Sequence, residues 1–375
     1  LKVYSGNFPA LTSFCQNSYN LRKVDLSGIT ANISTMNTIF SSCYNLTDII
    51  FPPTSSANSG LQNAFDSCRN LVTFPLFDTS GVSTWSQCFT TCTKLVTIPL
   101  LDMRSCGDIN RMFSSCASLQ TVPLLNTSKV TNMNFMFQNN NALEYVPLFD
   151  TSNVTNMGSM FSGCTKLTNV PLFNTAKVTD FSTMFGTCRS ITTVPLFNTV
   201  SGSLMNSMFS TCNNLKTVPL FDTIRATNMN SMFTSCNSLV SVPLFDTRAV
   251  TNMGSMFSSC AALTTVPLFN TTLVTNMGSM FASCVSLISV PPFNTPALTS
   301  ASQMFIGCLS LKSIPLLNTA NCTDLNRLFE GCFNLETFPL LNTAKVTSFA
   351  SMFNACLQLT SMPAINCASG SSAAS

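Results

Sequence analysis

The chain has 375 residues, of which only 8% are charged, and its formal net charge is +3. A soluble globular domain normally has about a quarter of its residues charged, so this surface must consist largely of serine, threonine and asparagine. Histidine is absent, which excludes histidine-based acid–base catalysis and histidine-containing metal sites. The 17 basic residues are nearly balanced by 14 acidic ones, so we expect no nucleic-acid partner. No apolar run approaches the roughly 18 residues of a membrane span, so we expect no membrane insertion.

One repeat fills nearly the whole chain. A phenylalanine recurs every 24 residues from Phe65 to Phe353, and Phe40 precedes Phe65 by 25 residues. The copy VTNMGSMFSSCAALTTVPLFNTTL, which starts at Val250, is followed by VTNMGSMFASCVSLISVPPFNTPA, which starts at Val274. Self-similarity at a fixed period of this length is typical of solenoids, in which each copy buries its apolar face against its neighbours.

Two periodicities alternate inside each copy. Apolar residues at Val250, Met253, Phe257 and Cys260 are three and four positions apart, which indicates one face of a short helix. In the next run, the apolar residues stand where the core-facing side chains of a short strand would lie. An Asn-Thr or Asp-Thr pair then turns the chain. A helix and a strand in 24 residues predict an α/β repeat: a right-handed leucine-rich-repeat solenoid with short parallel strands. Proline inside each strand predicts a narrow sheet, because proline removes an N–H donor.

The repeat also sets the predicted domain boundaries. Residues 1–35 contain a looser copy, and we expect an irregular N-terminal repeat or cap there. Residues 36–367 form the predicted leucine-rich-repeat array. Residues 368–375, which are small and polar, are predicted to form a flexible tail.

Two stretches of the array resemble a known repeat family. The run DTSNVTNMGSMFSGCTKL at 150–167 and the run KVTNMNFMF at 129–137 are similar to the BspA-like leucine-rich repeat, which is found in bacterial and mycoplasma surface proteins and in phage structural proteins. The resemblance covers roughly residues 40–367. It implies a non-catalytic recognition or adhesion scaffold, extracellular at a cell surface or virion, that binds protein or glycan on a host or neighbouring surface. The alternative is a structural component of a phage tail, fibre or extracellular filament that contacts other subunits.

Cysteines form a column three residues after the repeating phenylalanine, broken only by Asn140. Stacked alpha carbons about 5 Å apart would permit a disulfide, but parallel stacking directs the side chains alongside one another. We therefore predict buried, inert thiols with weak S–H bonds to loop carbonyls. Cys88 and Cys92 could form half of a metal site, but there is no second pair and no histidine. We predict no metal and no cofactor.

Two acidic residues in adjacent copies, Asp222 and Asp246, could bind a cation. Asparagine fills the same column elsewhere, so turn formation is the favoured interpretation. The chain has no glycine-rich phosphate loop and no irregular insertion with paired carboxylates, and we predict no catalytic residue.

A second phenylalanine column is the candidate binding surface. If Val266 and Leu268 face the core, strand alternation places Phe269 outside, and the column becomes an exposed aromatic stripe of the kind that marks binding surfaces. Alternatively, each strand ends at the leucine and the phenylalanine returns to the core, which is favoured by Leu101 and Leu341 in the same column. The column comprises Phe149, Phe173, Phe197, Phe221, Phe245, Phe269 and Phe293.

Overall fold

The computed structural model describes residues 1–3, 10–29, 33–52 and 60–363. The chain divides into two compact units, Leu1–Val178 and Thr179–Ser375. Within the described ranges the regular strands are β1 (Lys23–Asp25) and β2 (Asp48–Ile50), which pair in parallel. The predicted tail, residues 368–375, lies outside the described residues, and the predicted limits of the cap and the array stay a prediction.

Copies within each unit are joined in parallel at 24-residue intervals. In the first unit, isolated bridges link Thr84 to Asp108 and Asp108 to Asn132. In the second unit, Asn228 is bridged to Asn252 in the same way, and the pattern continues as far as Ser348. The predicted leucine-rich-repeat solenoid of 24-residue copies is therefore confirmed within each unit.

The segment predicted as a short helix is a run of tight turns. Ser258 and Cys260 donate their N–H groups to the carbonyls of Ser255 and Phe257, three residues back. Ser255 and Ser259 have positive φ angles of 54° and 60°, which a right-handed helix excludes. Across the described ranges no α-helix forms, nor is there any helix of the length and apolarity that crossing a bilayer requires.

The other N–H groups of the turn segment bond to the next copy. Phe257 donates to the carbonyl of Met280 at 2.9 Å, and in the first unit Phe113 donates to that of Met136 at 3.0 Å. Because alternate donors bond within the copy and between copies, the turn segments form a continuous backbone ladder. This arrangement satisfies buried peptide groups without a regular helix.

The repeating phenylalanines stack inside each unit. The ring centroids of Phe185 and Phe209 are 5.6 Å apart, and those of Phe209 and Phe233 are 5.7 Å apart, with the planes tilted by 5° and 6°. In the first unit Phe89 and Phe113 are 5.6 Å apart. All of these rings are inaccessible to solvent, so they form the centre of the core.

In most copies a buried threonine ties the strand end to the following copy. The hydroxyl of Thr223 donates to the carbonyl of Asp246, and that of Thr247 donates to the carbonyl of Asn270, both at 2.8 Å. Both threonines are 1% exposed. The buried hydroxyls therefore find their hydrogen-bond acceptors in the following copy.

The strand segments have far fewer bonds between copies. Ile288 donates to the carbonyl of Thr264 at 3.0 Å, and Val240 donates to that of Lys216 at 3.3 Å. Proline follows three residues after each of these donors, at Pro291 and Pro243, and cannot extend the ladder. The narrow sheet predicted from the prolines is confirmed.

Candidate binding surface

The phenylalanines predicted as an exposed stripe lie in the core. Each is only 1–3% exposed, and they are Phe149, Phe173, Phe197, Phe221, Phe245, Phe269 and Phe293. Phe245, for example, packs against Phe233 with a centroid distance of 6.2 Å. The prediction that these rings form an exposed stripe is therefore wrong, and the alternative prediction, that they return to the core, is confirmed.

A tight turn explains the reversal. The N–H of Phe269 donates to the carbonyl of Pro267 at 3.0 Å, two residues back, which is the hydrogen bond of a γ-turn centred on Leu268. The bend breaks the period of two assumed for a strand. Val266 and Phe269 consequently face the core, while Leu268 faces solvent.

This turn creates an exposed column of leucines, which we call the leucine stripe. Its members are 54–68% exposed, although leucine is among the residue types most often buried. In the second unit Pro292 replaces one leucine and is also exposed. The stripe comprises Leu76, Leu100, Leu124, Leu148 and Leu172 in the first unit and Leu196, Leu220, Leu244, Leu268, Leu316 and Leu340 in the second.

Shallow grooves run beside the stripe in the second unit. One groove, of about 530 Å³, is lined by the stripe residues Leu244 and Leu268 and by the polar residues Asp246, Arg248 and Asn270. The leucines therefore form an apolar ridge with a polar-walled groove next to it.

A second groove of about 430 Å³ repeats this arrangement further along the same unit. Leu316 and Leu340 form its apolar wall, and Asn294, Asn318 and Asn342 line its polar side. The amide oxygens of Asn318 and Asn342 accept the N–H groups of the residues two positions later. Because these bonds hold the amides in place, the polar wall is preorganised.

The carboxylates beside the stripe form turns and ion pairs. Asp222 accepts the N–H of Ile224 at 3.1 Å, as predicted for a turn-forming side chain. Asp246 accepts the N–H of Arg248 and lies 2.8 Å from its guanidinium. The hydrogen bond from the Arg248 side chain lowers the pKa of Asp246. The negative charge next to the groove is thus offset within the same turn.

The cysteine column lies on the opposite, turn side and is structural. The thiols of Cys260 and Cys284 donate to the carbonyls of Phe233 and Phe257 at 3.1 and 3.0 Å. Burial raises the pKa of the Cys284 thiol to about 12. Every described cysteine is a free thiol. The predicted buried thiols with bonds to loop carbonyls are therefore confirmed.

The described part of the chain brings together no three His, Cys, Asp or Glu side chains that could hold a metal ion. Cys88 and Cys92 are both buried, and burial is the largest cause of the raised pKa of each thiol.

The sequence analysis missed the leucine stripe, although one signal pointed to it. Pro292 stands in the leucine column, and proline is mostly an exposed residue. The phenylalanine column instead exchanges with leucine, as at Leu317, which is a substitution between two core residues. These exchanges distinguish the exposed column from the buried one.

One family of known proteins matches the repeat along most of the chain. Five overlapping stretches match the model of a family described as "Mycoplasma protein of unknown function, DUF285": 10–122, 59–167, 107–220, 203–315 and 299–366. A search of the curated proteins finds no match.

Solved structures share the fold. A leucine-rich cell surface protein from Faecalibacterium prausnitzii is 20% identical, with a TM-score of 0.52 and 82% of each chain covered. A leucine-rich-repeat protein from Bacteroides ovatus is 17% identical, with a TM-score of 0.48, 87% of this chain covered and 80% of its own. The first of these similarities supports the leucine-rich-repeat fold.

Proposed function

Since the chain belongs to the DUF285 family of mycoplasma proteins, for which no function is described, we propose its function from its own surface: a non-catalytic, protein-binding scaffold for recognition or adhesion at a cell surface. The leucine stripe is the proposed contact surface. The observation that carries this proposal is the exposure of one leucine per copy over most of the described repeats.

The energetics favour a bound partner for this stripe. Burying a fully exposed leucine side chain contributes about 1.5–3 kcal/mol, and the stripe leucines are a little more than half exposed. Each leucine thus has about 1 kcal/mol available on binding. Single exposed apolar residues are common, but contiguous apolar patches mark interaction sites.

A protein ligand suits this surface better than a glycan. The stripe is aliphatic, and the serines and threonines beside it, such as Thr217, Ser241 and Thr265, are exposed. An apolar ridge with a polar rim is the usual composition of a protein interface. Permanent burial of the same ridge against a neighbouring subunit would correspond to the alternative function, a structural component of a virion or filament.

Binding of the labelled chain to a panel of cultured epithelial cells tests this function. The variant L220S/L244S/L268S removes three stripe leucines. The control L309S/F333S/L357S removes three apolar residues that are 36–71% exposed and lie in the turn segment, away from the stripe and its grooves. We expect retention of the natural chain and of the control, and loss of retention for the stripe variant.

Treatment of the cells separates the ligand classes. Protease treatment should abolish retention, whereas glycosidase treatment should leave it intact. Equal retention of the stripe and control variants, or no retention of the natural chain on any cell, would refute the proposed function.

A further inference from the structure

We propose that, when no other partner occupies it, the leucine stripe binds a second copy of this chain, which packs its own stripe against the first. The inference goes beyond the proposed function, because it concerns the free chain in solution and not the host surface that the same stripe would contact. Three features of the second unit support it: the repeat spacing, the ridge-and-groove shape and the small charge.

The first feature is the spacing of the stripe. Leu196, Leu220, Leu244 and Leu268 belong to consecutive copies, whose buried phenylalanines stack at 5.6–5.8 Å. A second copy has the same spacing over its whole stripe.

The second feature is self-complementary shape. The ridge formed by Leu244 and Leu268 lies beside a groove that these same leucines help to line. In a two-fold arrangement the ridge of each chain enters the groove of the other, which is the reciprocal contact of an isologous interface. The second groove, beside Leu316 and Leu340, extends the same arrangement.

The third feature is charge. A surface that binds itself must avoid like charges facing each other. Along the second-unit stripe the adjacent column of Asp and Asn has two carboxylates: Asp246 is offset by Arg248, and Asp222 holds a turn by accepting the N–H of Ile224. Asn270, Asn294 and Asn318 hold uncharged amides in the corresponding positions. Asparagine both donates and accepts hydrogen bonds, so its amide can pair with an identical one.

The available area is adequate for a weak dimer. At about 60–120 Å² of apolar surface per fully exposed leucine, six partly exposed leucines supply up to about half of the roughly 800 Å² per partner of a standard interface. The grooves and the columns of proline, threonine and asparagine beside the ridge supply the remainder. We therefore expect a dissociation constant in the micromolar range.

Sedimentation equilibrium of the full chain at 1–100 µM, under reducing conditions, tests the inference. We expect a monomer–dimer equilibrium that L220S/L244S/L268S weakens at least tenfold and that L309S/F333S/L357S changes by less than twofold. Circular dichroism of both variants checks that they are folded. A natural chain that is monomeric at 100 µM, or equal weakening by both variants, would overturn the inference.

Cross-linking provides a second measurement that does not depend on the triple variants. Every described thiol except that of Cys356 is buried, so in a C356S/C367S background Leu244→Cys introduces one accessible thiol on the stripe, and Leu273→Cys introduces one elsewhere. A bis-maleimide should link two chains of L244C and leave L273C monomeric. Cross-linking of L273C to the same extent would contradict pairing through the stripe.

The two proposals can fail separately. A monomeric chain that is still retained on cells through its stripe would remove the second copy as the partner and leave the proposed function in place. A chain that dimerises through its stripe but is retained on no cell would refute recognition of a host surface and leave the self-association in place.

Discussion

The turn segment and the strand segment of one copy differ in both bonding and exposure. Phe257 and Cys260, in the turn segment, are fully buried, and the copy is bonded to its neighbours there through the backbone. In the strand segment Leu268 is 54% exposed, and the N–H of Phe269 bonds within its own copy. Stability is therefore concentrated on the turn side, and the strand side is available for a partner.

Alkaline pH should unfold the chain through its turn side, the largest effect we expect. Burial raises the pKa of the Cys164, Cys212 and Cys284 thiols to about 12, from a value of 9.0. Because the folded-state pKa is the higher one, the stability from these neutral thiols is complete below about pH 9 and is lost as the pH rises towards 12. At pH 11 each thiol favours the unfolded chain by roughly 2–3 kcal/mol.

Three such thiols together oppose folding by about 8 kcal/mol at pH 11, within the usual 5–15 kcal/mol of net stability. We expect cooperative loss of the circular dichroism signal between pH 9 and 12, with thiolate absorbance at 240 nm rising in the same transition. In guanidinium the same absorbance should rise near pH 9. Thiols that ionise near pH 9 while the chain remains folded would show that the turn side is not sealed from water.

The next largest effect compares one side chain from each segment. Phe257→Ala removes a fully buried ring that stacks between Phe233 and Phe281, and it should lower the free energy of unfolding by about 3–5 kcal/mol. Leu268→Ala removes an exposed side chain and should change this free energy by less than about 0.5 kcal/mol. Guanidinium denaturation followed by circular dichroism measures both. Similar losses in the two variants would contradict the division of roles between the segments.

The repeat made the array and its buried columns predictable. Side chains such as Met253, Phe257 and Cys260 recur at fixed positions in almost every copy, and a solenoid stacks equivalent residues. The cysteines could be assigned as inert because parallel stacking opposes disulfides. These inferences depend on the period alone and not on the detailed path of the backbone.

The prediction of the binding surface, by contrast, depended on the detailed path of the backbone. Leu268 and Phe269 are adjacent and both apolar, so hydrophobicity alone cannot decide which of them faces the core. The γ-turn hydrogen bond between Phe269 and Pro267 decides it, and no residue preference in the run required that turn. The helix prediction failed for a similar reason, since the left-handed φ angles occur at serines such as Ser255 and Ser259, where glycine would have been the expected signal.

The smallest effect concerns the one break in the cysteine column. Asn140 is fully buried, and neither atom of its amide has a hydrogen-bond partner within the described part of the chain. Cys116, in the preceding copy, donates its S–H to the carbonyl of Phe89 at 3.0 Å, 27 residues back. The residue 27 positions before 140 is Phe113, so the thiol of an Asn140→Cys variant should donate to the carbonyl of Phe113. Because a buried polar group without a partner costs about 1–3 kcal/mol, N140C should raise the free energy of unfolding by up to that amount.

The matched control Cys164→Asn, one copy later, should lower the free energy of unfolding to a similar extent, since it buries an amide where Cys164 donates to the carbonyl of Phe137. Guanidinium denaturation of both variants beside the natural chain measures the difference. An N140C variant that is less stable than the natural chain would contradict the conclusion that cysteine recurs in the turn segment because it fits a buried, apolar site.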